Sequence, residues 1–231
     1  MAAHRGRGRL AAVSRSSPEG DDRSLVERSV HDLLNPVSSI LGFGETLRAR
    51  GASLGDETIR GFGASIARQA TRLEKAVRDL SLASRLLRED LTPAFREVAI
   101  GDLLTPFASD RVGIEAPRDL IVRADQELLV DAVGRLVENA LAFSDADVAL
   151  KAGASDRVWI EVGDRGMGFD ADGLESAFDP LAAGRNARNE RGDGLGLGLF
   201  IARRLVELQG GALTGTSSPG KGSVFRIELR R

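Results

Sequence analysis

Glycine occupies every second position of Gly192-Asp193-Gly194-Leu195-Gly196-Leu197-Gly198-Leu199. A backbone bare of side chains, followed by a helical pattern from Phe200 to Gln209, puts free N–H groups at the positive end of a helix dipole. A phosphate suits such a place. The intervening leucines argue against a flexible linker, because each needs an apolar neighbour. On its own the run also reads as a glycine-rich turn before a helix.

Three other places carry side chains with chemistry. Asp164-Arg165-Gly166-Met167-Gly168 follows a strand-like run that ends at Val162. A carboxylate there can accept a hydrogen bond from an exocyclic amine, and the glycines would let a flat ring approach the backbone. Alone, the motif is equally a turn after a strand. Asn139 follows Glu138 on a predicted helix Gln126–Phe143, whose buried side would be Leu128, Leu129, Ala132, Leu136 and Leu141. An amide oxygen is a hard ligand suited to Mg²⁺, which keeps several waters and shares nucleotide phosphates; a lone Asn on a helix is usually just solvated. His31 opens the run His31-Asp32-Leu33-Leu34-Asn35-Pro36. A lone helical histidine is ordinarily structural or merely exposed.

The elements that must position these groups fall into two units. From Leu25 to Leu47, Val26, Val30, Leu33, Val37, Ile40, Gly44 and Leu47 form a heptad-like seam. His31 falls just outside that seam, so it is expected to face solvent, with Asn35 one turn further along. Pro36 removes a helix hydrogen bond and should kink or loosen the helix below His31. After the polar segment Arg48–Asp56, a second helix runs from about Glu57 to Arg88, with Ile66, Leu73, Leu80 and Leu87 at seven-residue steps. The two make a helical hairpin, and because one hairpin buries only one stripe per helix, pairing into a dimeric four-helix bundle is expected.

Near residue 92 the pattern changes. Strand-like runs at Glu97–Ile100, Val112–Glu115, Leu120–Arg123, Val148–Lys151, Val158–Val162, Ala212–Gly215 and Ser223–Leu229 mix with the two helical patterns. That mixture predicts an α/β sandwich, and the chain as a whole an α+β protein of two domains. The expected division is a disordered leader at 1–22, the hairpin at 23–91 and the α/β domain at 92–231.

Composition narrows the function. A net charge of −2 gives no general attraction to nucleic acid or anionic membrane, and nine Phe, one Trp and no Tyr leave little for base stacking. The absence of cysteine excludes disulfides, thiolate metal sites and a Cys nucleophile. It fits a reducing compartment, and a cytoplasmic location is expected. No apolar run approaches the roughly 18 residues needed to span a bilayer.

Asn139, Asp164–Gly168, Phe178-Asp179-Pro180-Leu181 and Gly192–Gly198 resemble, in order, the nucleotide-binding boxes of sensor histidine kinases. Gly220-Lys221-Gly222-Ser223-Val224-Phe225 is similar to that family's closing glycine turn and strand, and His31–Pro36 to its phosphoacceptor box. The likeness spans about residues 22 to 231. It implies an ATP-binding domain of the histidine-kinase ATPase type, and transfer of the ATP γ-phosphoryl to His31 and then to an aspartate of a response-regulator receiver. An ordinary histidine is roughly three quarters neutral at pH 7, so a nucleophilic imidazole needs no special tuning. The resemblance gives Asp32 an acid–base or ring-orienting role, and Asn35 the spacing of a residue that holds water for dephosphorylating the receiver.

It further implies that Asn139 holds Mg²⁺ and that Asp164, with Gly166 and Gly168, receives the adenine. Gly194, Leu195, Gly196, Leu197 and Gly198 would line the phosphates, and Arg188 or Arg191 would reach them from a lid at Leu181–Gly192 that also holds Arg185. Three solvated loop arginines explain that lid equally well. Phe178 would pack under the lid or plug the sheet. The sequence departs from the family at Ala142, where a Lys is common, at Arg135, where a second Asn often sits, at Leu181 in place of Phe, and at Gln209 in place of His. Slow or conditional autophosphorylation is the expected consequence. Expected partners are a second copy of the chain, a receiver domain and a separate sensory protein. The competing readings are a histidine phosphotransfer or scaffold protein with a weak or inactive ATP domain, and another ATPase of the same nucleotide fold.

Overall fold

A computed structural model describes residues 18–180 and 195–231, with side chains of the first helix described from Leu33 onward. Helix α1 spans Pro18–Arg50 and runs through Pro36; a short 3₁₀ turn, Gly51–Ser53, leads into α2, Asp56–Leu87. The helix therefore takes in Pro18–Asp22, which the sequence assigns to the leader. Leu33, Val37, Ile40, Gly44 and Leu47 are half-buried, and the Phe43 and Phe62 rings meet at 5.2 Å between centroids. Asp56 and Glu57 sit in the first turn of α2, where carboxylates favour the helix dipole. Its other end closes with Glu89 N–H donating to the Leu86 carbonyl and Asp90 N–H to that of Arg85. Glu89 takes the left-handed conformation, φ 57°, that this Schellman closure needs. Leu91 then packs into the core of the second domain.

The seven-residue pattern of α2 turns out to serve two surfaces. Ile66 and Leu73 are half-buried against α1, whereas Leu80 and Leu87 are exposed. The buried stripe lower on α2 is instead Asp79, Ala83 and Leu86, with Ala76 and Leu82 beside it, because the second domain covers that side.

Strand β1 (Arg96–Ala99), helix α3 (Ile100–Leu104), β2 (Val112–Glu115), β3 (Ile121–Ala124), α4 (Gln126–Phe143), β4 (Val148–Ala154), β5 (Val158–Gly163), α5 (Ala171–Ser176), α6 (Gly198–Leu208), β6 (Ala212–Ser218) and β7 (Gly222–Leu229) complete the described chain. Strands β1 and β3 pair antiparallel as a two-stranded ribbon. The main sheet has the order β2-β4-β5-β7-β6, with β2 and β4 parallel and the other pairs antiparallel. Period-two alternation sends Leu150, Val162 and Phe225 in one register row, and Ala152, Ile160 and Ile227 in the next, to the inner face. The outer face carries Lys151, Glu161 and Arg226 in register. There Arg226 Nη1 lies 2.6 Å from Glu161 and Nε 3.0 Å from Glu228, with the guanidinium 4.6 Å above the Trp159 ring.

Helices α4 and α6 pack on each other and on the sheet, which gives the expected α/β sandwich. Helix α4 has the predicted ends because Asp125 caps it, Oδ1 accepting from Glu127 N–H and Leu128 N–H. Its covered side is Leu129, Ala132, Val133, Leu136, Val137 and Ala140, with Leu128 and Leu141 only half-buried. The difference from the predicted side follows from cover by α6 as well as by the sheet, which widens the buried arc. Gln209 is buried between the two helices, accepting from Asp125 N–H at 2.9 Å and donating to the Leu205 carbonyl at 3.0 Å.

Candidate functional site

The glycine-rich run enters α6 with its leucines buried: Leu195, Leu197 and Leu199 all lie in the core. That satisfies the apolar requirement read from the sequence. Gly196 takes φ 70°, a left-handed conformation suited to glycine. Helix α6 opens at Leu197 and Gly198 with no side-chain cap, and its first bond runs from Ile201 N–H to the Leu197 carbonyl. Among the described residues no side chain caps that first turn, whose N–H groups are of the kind that can receive an anion. Gly192, Gly194, Arg185, Arg188 and Arg191 lie outside the described residues.

Asp164 follows β5 and is 9 % exposed. Its Oδ1 accepts from Gly166 N–H at 2.7 Å, and its own N–H donates to the Ser223 carbonyl at 2.9 Å. Burial pushes its carboxyl above the ordinary value, opposed by hydrogen bonds from the backbone of Gly166 and Ser223. Two hydroxyls fasten this loop to the β6–β7 turn. Ser217 Oγ accepts from Phe169 N–H at 2.8 Å and donates to the Gly222 carbonyl at 2.9 Å. Its one proton is thereby used, so Ser223 is the donor in the 3.0 Å contact between the two hydroxyls.

The glycines here answer a packing demand. A Cβ on Gly166 would stand 2.2 Å from the Phe143 carbonyl oxygen, and one on Gly168, at φ 64°, would stand 2.1 Å from that of Ser218. Protein backbone fills the room a side chain would need, so the glycines are required by the packing of α4 and β6 against the loop. The same contact brings the end of α4 to the Asp164 loop.

Asn139 is half-buried on α4, and Glu138 beside it pairs with Lys75 of α2. Among the described residues no group of three or more His, Asp or Glu side chains could hold a metal. Phe178 meets Phe225 edge-on at 5.9 Å, with the Arg203 guanidinium 5.3 Å from its ring centre, so it plugs the sheet. Asn35 is exposed on α1; the side chains of His31 and Asp32 lie outside the described residues.

Arg135 does not point its charge into open space. Its Nη1 lies 2.8 Å from Asp79 Oδ1 on α2, both side chains being 11 % exposed, and its Nε lies 2.9 Å from Asp131 Oδ1. Both contacts are ion pairs without the alignment of a hydrogen bond. Asp79, Lys75 and Ser217 are not singled out by the sequence, although an acid at i+3 from Ala76 and i−4 from Ala83 breaks an otherwise apolar stripe.

Two family models match the chain. "His Kinase A (phospho-acceptor) domain" covers residues 23–89, and "Histidine kinase-, DNA gyrase B-, and HSP90-like ATPase" covers residues 124–231. The sensor-like histidine kinase SenX3 of Mycobacterium tuberculosis is 31% identical over 224 residues, covering 91% of this chain and 54% of that protein. The sensor protein KdpD of the same species is 31% identical over 223 residues, 90% of this chain and 26% of its own length. The chain thus spans about half the length of the first of these relatives. Among solved structures, the Acinetobacter baumannii histidine kinase AdeS shares the fold with a TM-score of 0.67 at 19% identity, over 87% of this chain and 97% of that one. Full-length ShkA in complex with AMPPNP matches with a TM-score of 0.61 at 25% identity, over 90% of this chain and 45% of that one. With the phosphoacceptor hairpin and the ATPase-type domain both matched, the chain belongs to the sensor histidine kinase family.

Proposed function

We propose that this chain phosphorylates His31 from ATP and passes the phosphoryl group to an aspartate of a response-regulator receiver. What supports the reading above all is one chain that carries both the His31 hairpin and the nucleotide-type domain, with the helix of Asn139 joined to α2 by two ion pairs and α6 packed on α2. The AMPPNP in the ShkA complex supports a nucleotide triphosphate as the occupant. Asp164 accepts from the adenine amine through the oxygen that Gly166 does not use. The uncapped first turn of α6 and the Gly194–Gly198 backbone receive phosphate oxygens, with Arg188 or Arg191 as a further contact.

The Asn139 amide oxygen would hold Mg²⁺, which would supply neutralisation of phosphate charge. His31 Nε2 forms the new bond to the γ-phosphorus as the bond to the β–γ bridging oxygen breaks and ADP departs. Asp32 takes the Nδ1 proton or fixes the ring. Transfer to a receiver carboxylate then breaks the P–N bond and restores the imidazole. Asn35 holds a water for hydrolysis of the receiver's acyl phosphate, a role removed by an Asn35→Ala protein that dephosphorylates the receiver at an unchanged rate.

A second copy of the chain completes the hairpin. Leu34 and Leu41 on α1 and Val77, Leu80 and Leu87 on α2 are exposed in one chain, enough apolar surface to form the shared core of a four-helix bundle. Among the described residues no helix is long and apolar enough to cross a membrane. A cytoplasmic location and control by a separate sensory protein complete the reading.

The test is incubation with γ-labelled ATP and Mg²⁺. Wild-type protein is expected to gain acid-labile, alkali-stable label, and Asn139→Ala to lose at least about a hundredfold of the rate, as removal of one phosphate-charge stabiliser does elsewhere. Nucleotide binding with no protein label would indicate an ATPase clamp. No binding, but uptake of phosphate from a phosphorylated receiver, would indicate a relay.

A further inference from the structure

Asp79 and Asp164 are the buried carboxylates among the described residues, and the proposed ATP site uses only Asp164. Asp79 lies on α2 and meets Arg135 of α4 across the boundary between the two domains, 2.8 Å apart. One turn back along α2, Lys75 meets Glu138, three residues after Arg135. Two ion pairs therefore join these helices like rungs, and Asn139 is the next residue on α4. Ala83 and Leu86 extend the same stripe of α2 into the apolar core of the second domain.

The hairpin sets the height of these rungs. Phe43 and Phe62 face each other across its antiparallel helices. Twelve residues back along α1 from Phe43 is His31, and twelve on along α2 from Phe62 is Glu74, beside Lys75. The turn of α4 that leads into Asn139 is thus fastened to α2 at the level of the phosphoacceptor.

The two rungs differ in what they can enforce. Lys75 and Glu138 are at least half exposed, and such a pair is weak and tolerant of displacement. Asp79 and Arg135 are shielded from water, and sliding α4 along α2 would leave a buried charge unpaired. That penalty selects one docking position.

We propose that Asp79 and Arg135 are positioning residues, whose buried ion pair docks the ATP-binding domain on α2 at the height of His31 for phosphoryl transfer. The inference rests on the histidine-kinase reading above. Transfer depends on placing donor and acceptor together, so a loosened dock lowers the rate of transfer without touching nucleotide contacts.

The experiment compares wild type, Asp79→Asn, and the double exchange Asp79→Arg with Arg135→Asp, which rebuilds the pair in reverse and is made in an Asp131→Asn background so that the new carboxylate meets no like charge. Initial autophosphorylation rates are measured over a range of ATP–Mg²⁺ concentrations, and amide hydrogen exchange is followed over residues 75–87. Asp79→Asn is expected to lower the saturating rate about tenfold while the KM for ATP changes less than about twofold, the signature of lost positioning. Exchange along α2 should quicken, and the double exchange should recover part of both. An Asp79→Asn rate equal to or above that of wild type would overturn the proposal, as would a rate loss matched by a rise in KM, or a double exchange worse than the single change. If wild type takes up no label, the kinase reading fails and the positioning role with it, while the exchange data still report whether the pair docks the domains.

Discussion

His31→Gln protein is expected to bind ATP–Mg²⁺ as wild type does and to gain no label above background. The nucleotide contacts proposed above lie between Asn139 and Gly198, on elements of the second domain, whereas position 31 is on α1. Glutamine is a better helix former than histidine, so α1 keeps its structure. Its amide nitrogen, with the lone pair delocalised into the carbonyl, does not attack phosphorus. Removing the nucleophile of a covalent mechanism removes the reaction rather than slowing it by a fraction. Label incorporation and a nucleotide titration on the same preparation separate the two effects. Label that persists in His31→Gln places the acceptor elsewhere.

Asp164→Asn is expected to weaken nucleotide binding by at least about a hundredfold, roughly 2.7 kcal/mol, with no loss of fold stability. Gly166 N–H can only donate, and it points at Oδ1 from 2.7 Å. In the variant it holds the amide oxygen, which turns the amide NH₂ toward the adenine amine and sets donor against donor. The effect on stability runs the other way. Because burial raises the folded-state pKa of Asp164, the fold favours its protonated form. That contribution is fully present below the ordinary carboxylate value and lost as pH rises through the raised value, so at neutral pH the ionised group opposes folding. Asparagine carries no charge, and the melting temperature should stay level or rise. For wild type, nucleotide affinity should fall on acidification at a higher pH than an ordinary carboxylate would give. Calorimetric titration and thermal melts on both proteins check these outcomes. A variant that binds as wild type does assigns adenine recognition to another group.

Sequence and structure agree best where local chemistry decides the outcome. Helix α4 has its predicted ends because Asp125 caps it within two and three residues, a signal contained in the sequence itself. The leucines at 195, 197 and 199 had to be buried, and they are. Helices α3 and α5 were missed because five or six residues cannot display a helical period. Their positions depend on packing, although Asp170 accepting from Gly173 N–H is a cap that the sequence permits.

What periodicity could not supply was the second partner of each helix. The heptad steps of α2 read as one stripe, yet one side faces α1, another the ATP-type domain, and Leu80 and Leu87 stay exposed. The same blindness hid Asp79, whose partner Arg135 lies on another domain. At Gly166 and Gly168 the residue type was correctly marked as special, while the cause, close approach of the Phe143 and Ser218 carbonyls, required the folded chain. A spacing argument finds residues that act together along one element. It does not find those brought together across a domain boundary.

On the proposed mechanism, the phosphoryl group of ATP comes to rest on His31. Tandem mass spectrometry of wild-type protein, after incubation with ATP–Mg²⁺ and digestion at a pH that preserves P–N bonds, tests it most directly. The expected result is a phosphoryl group on His31 in the peptide that contains Asp32 and Asn35. A phosphoryl group on a serine or threonine, or none on the protein while ATP is consumed, would contradict it.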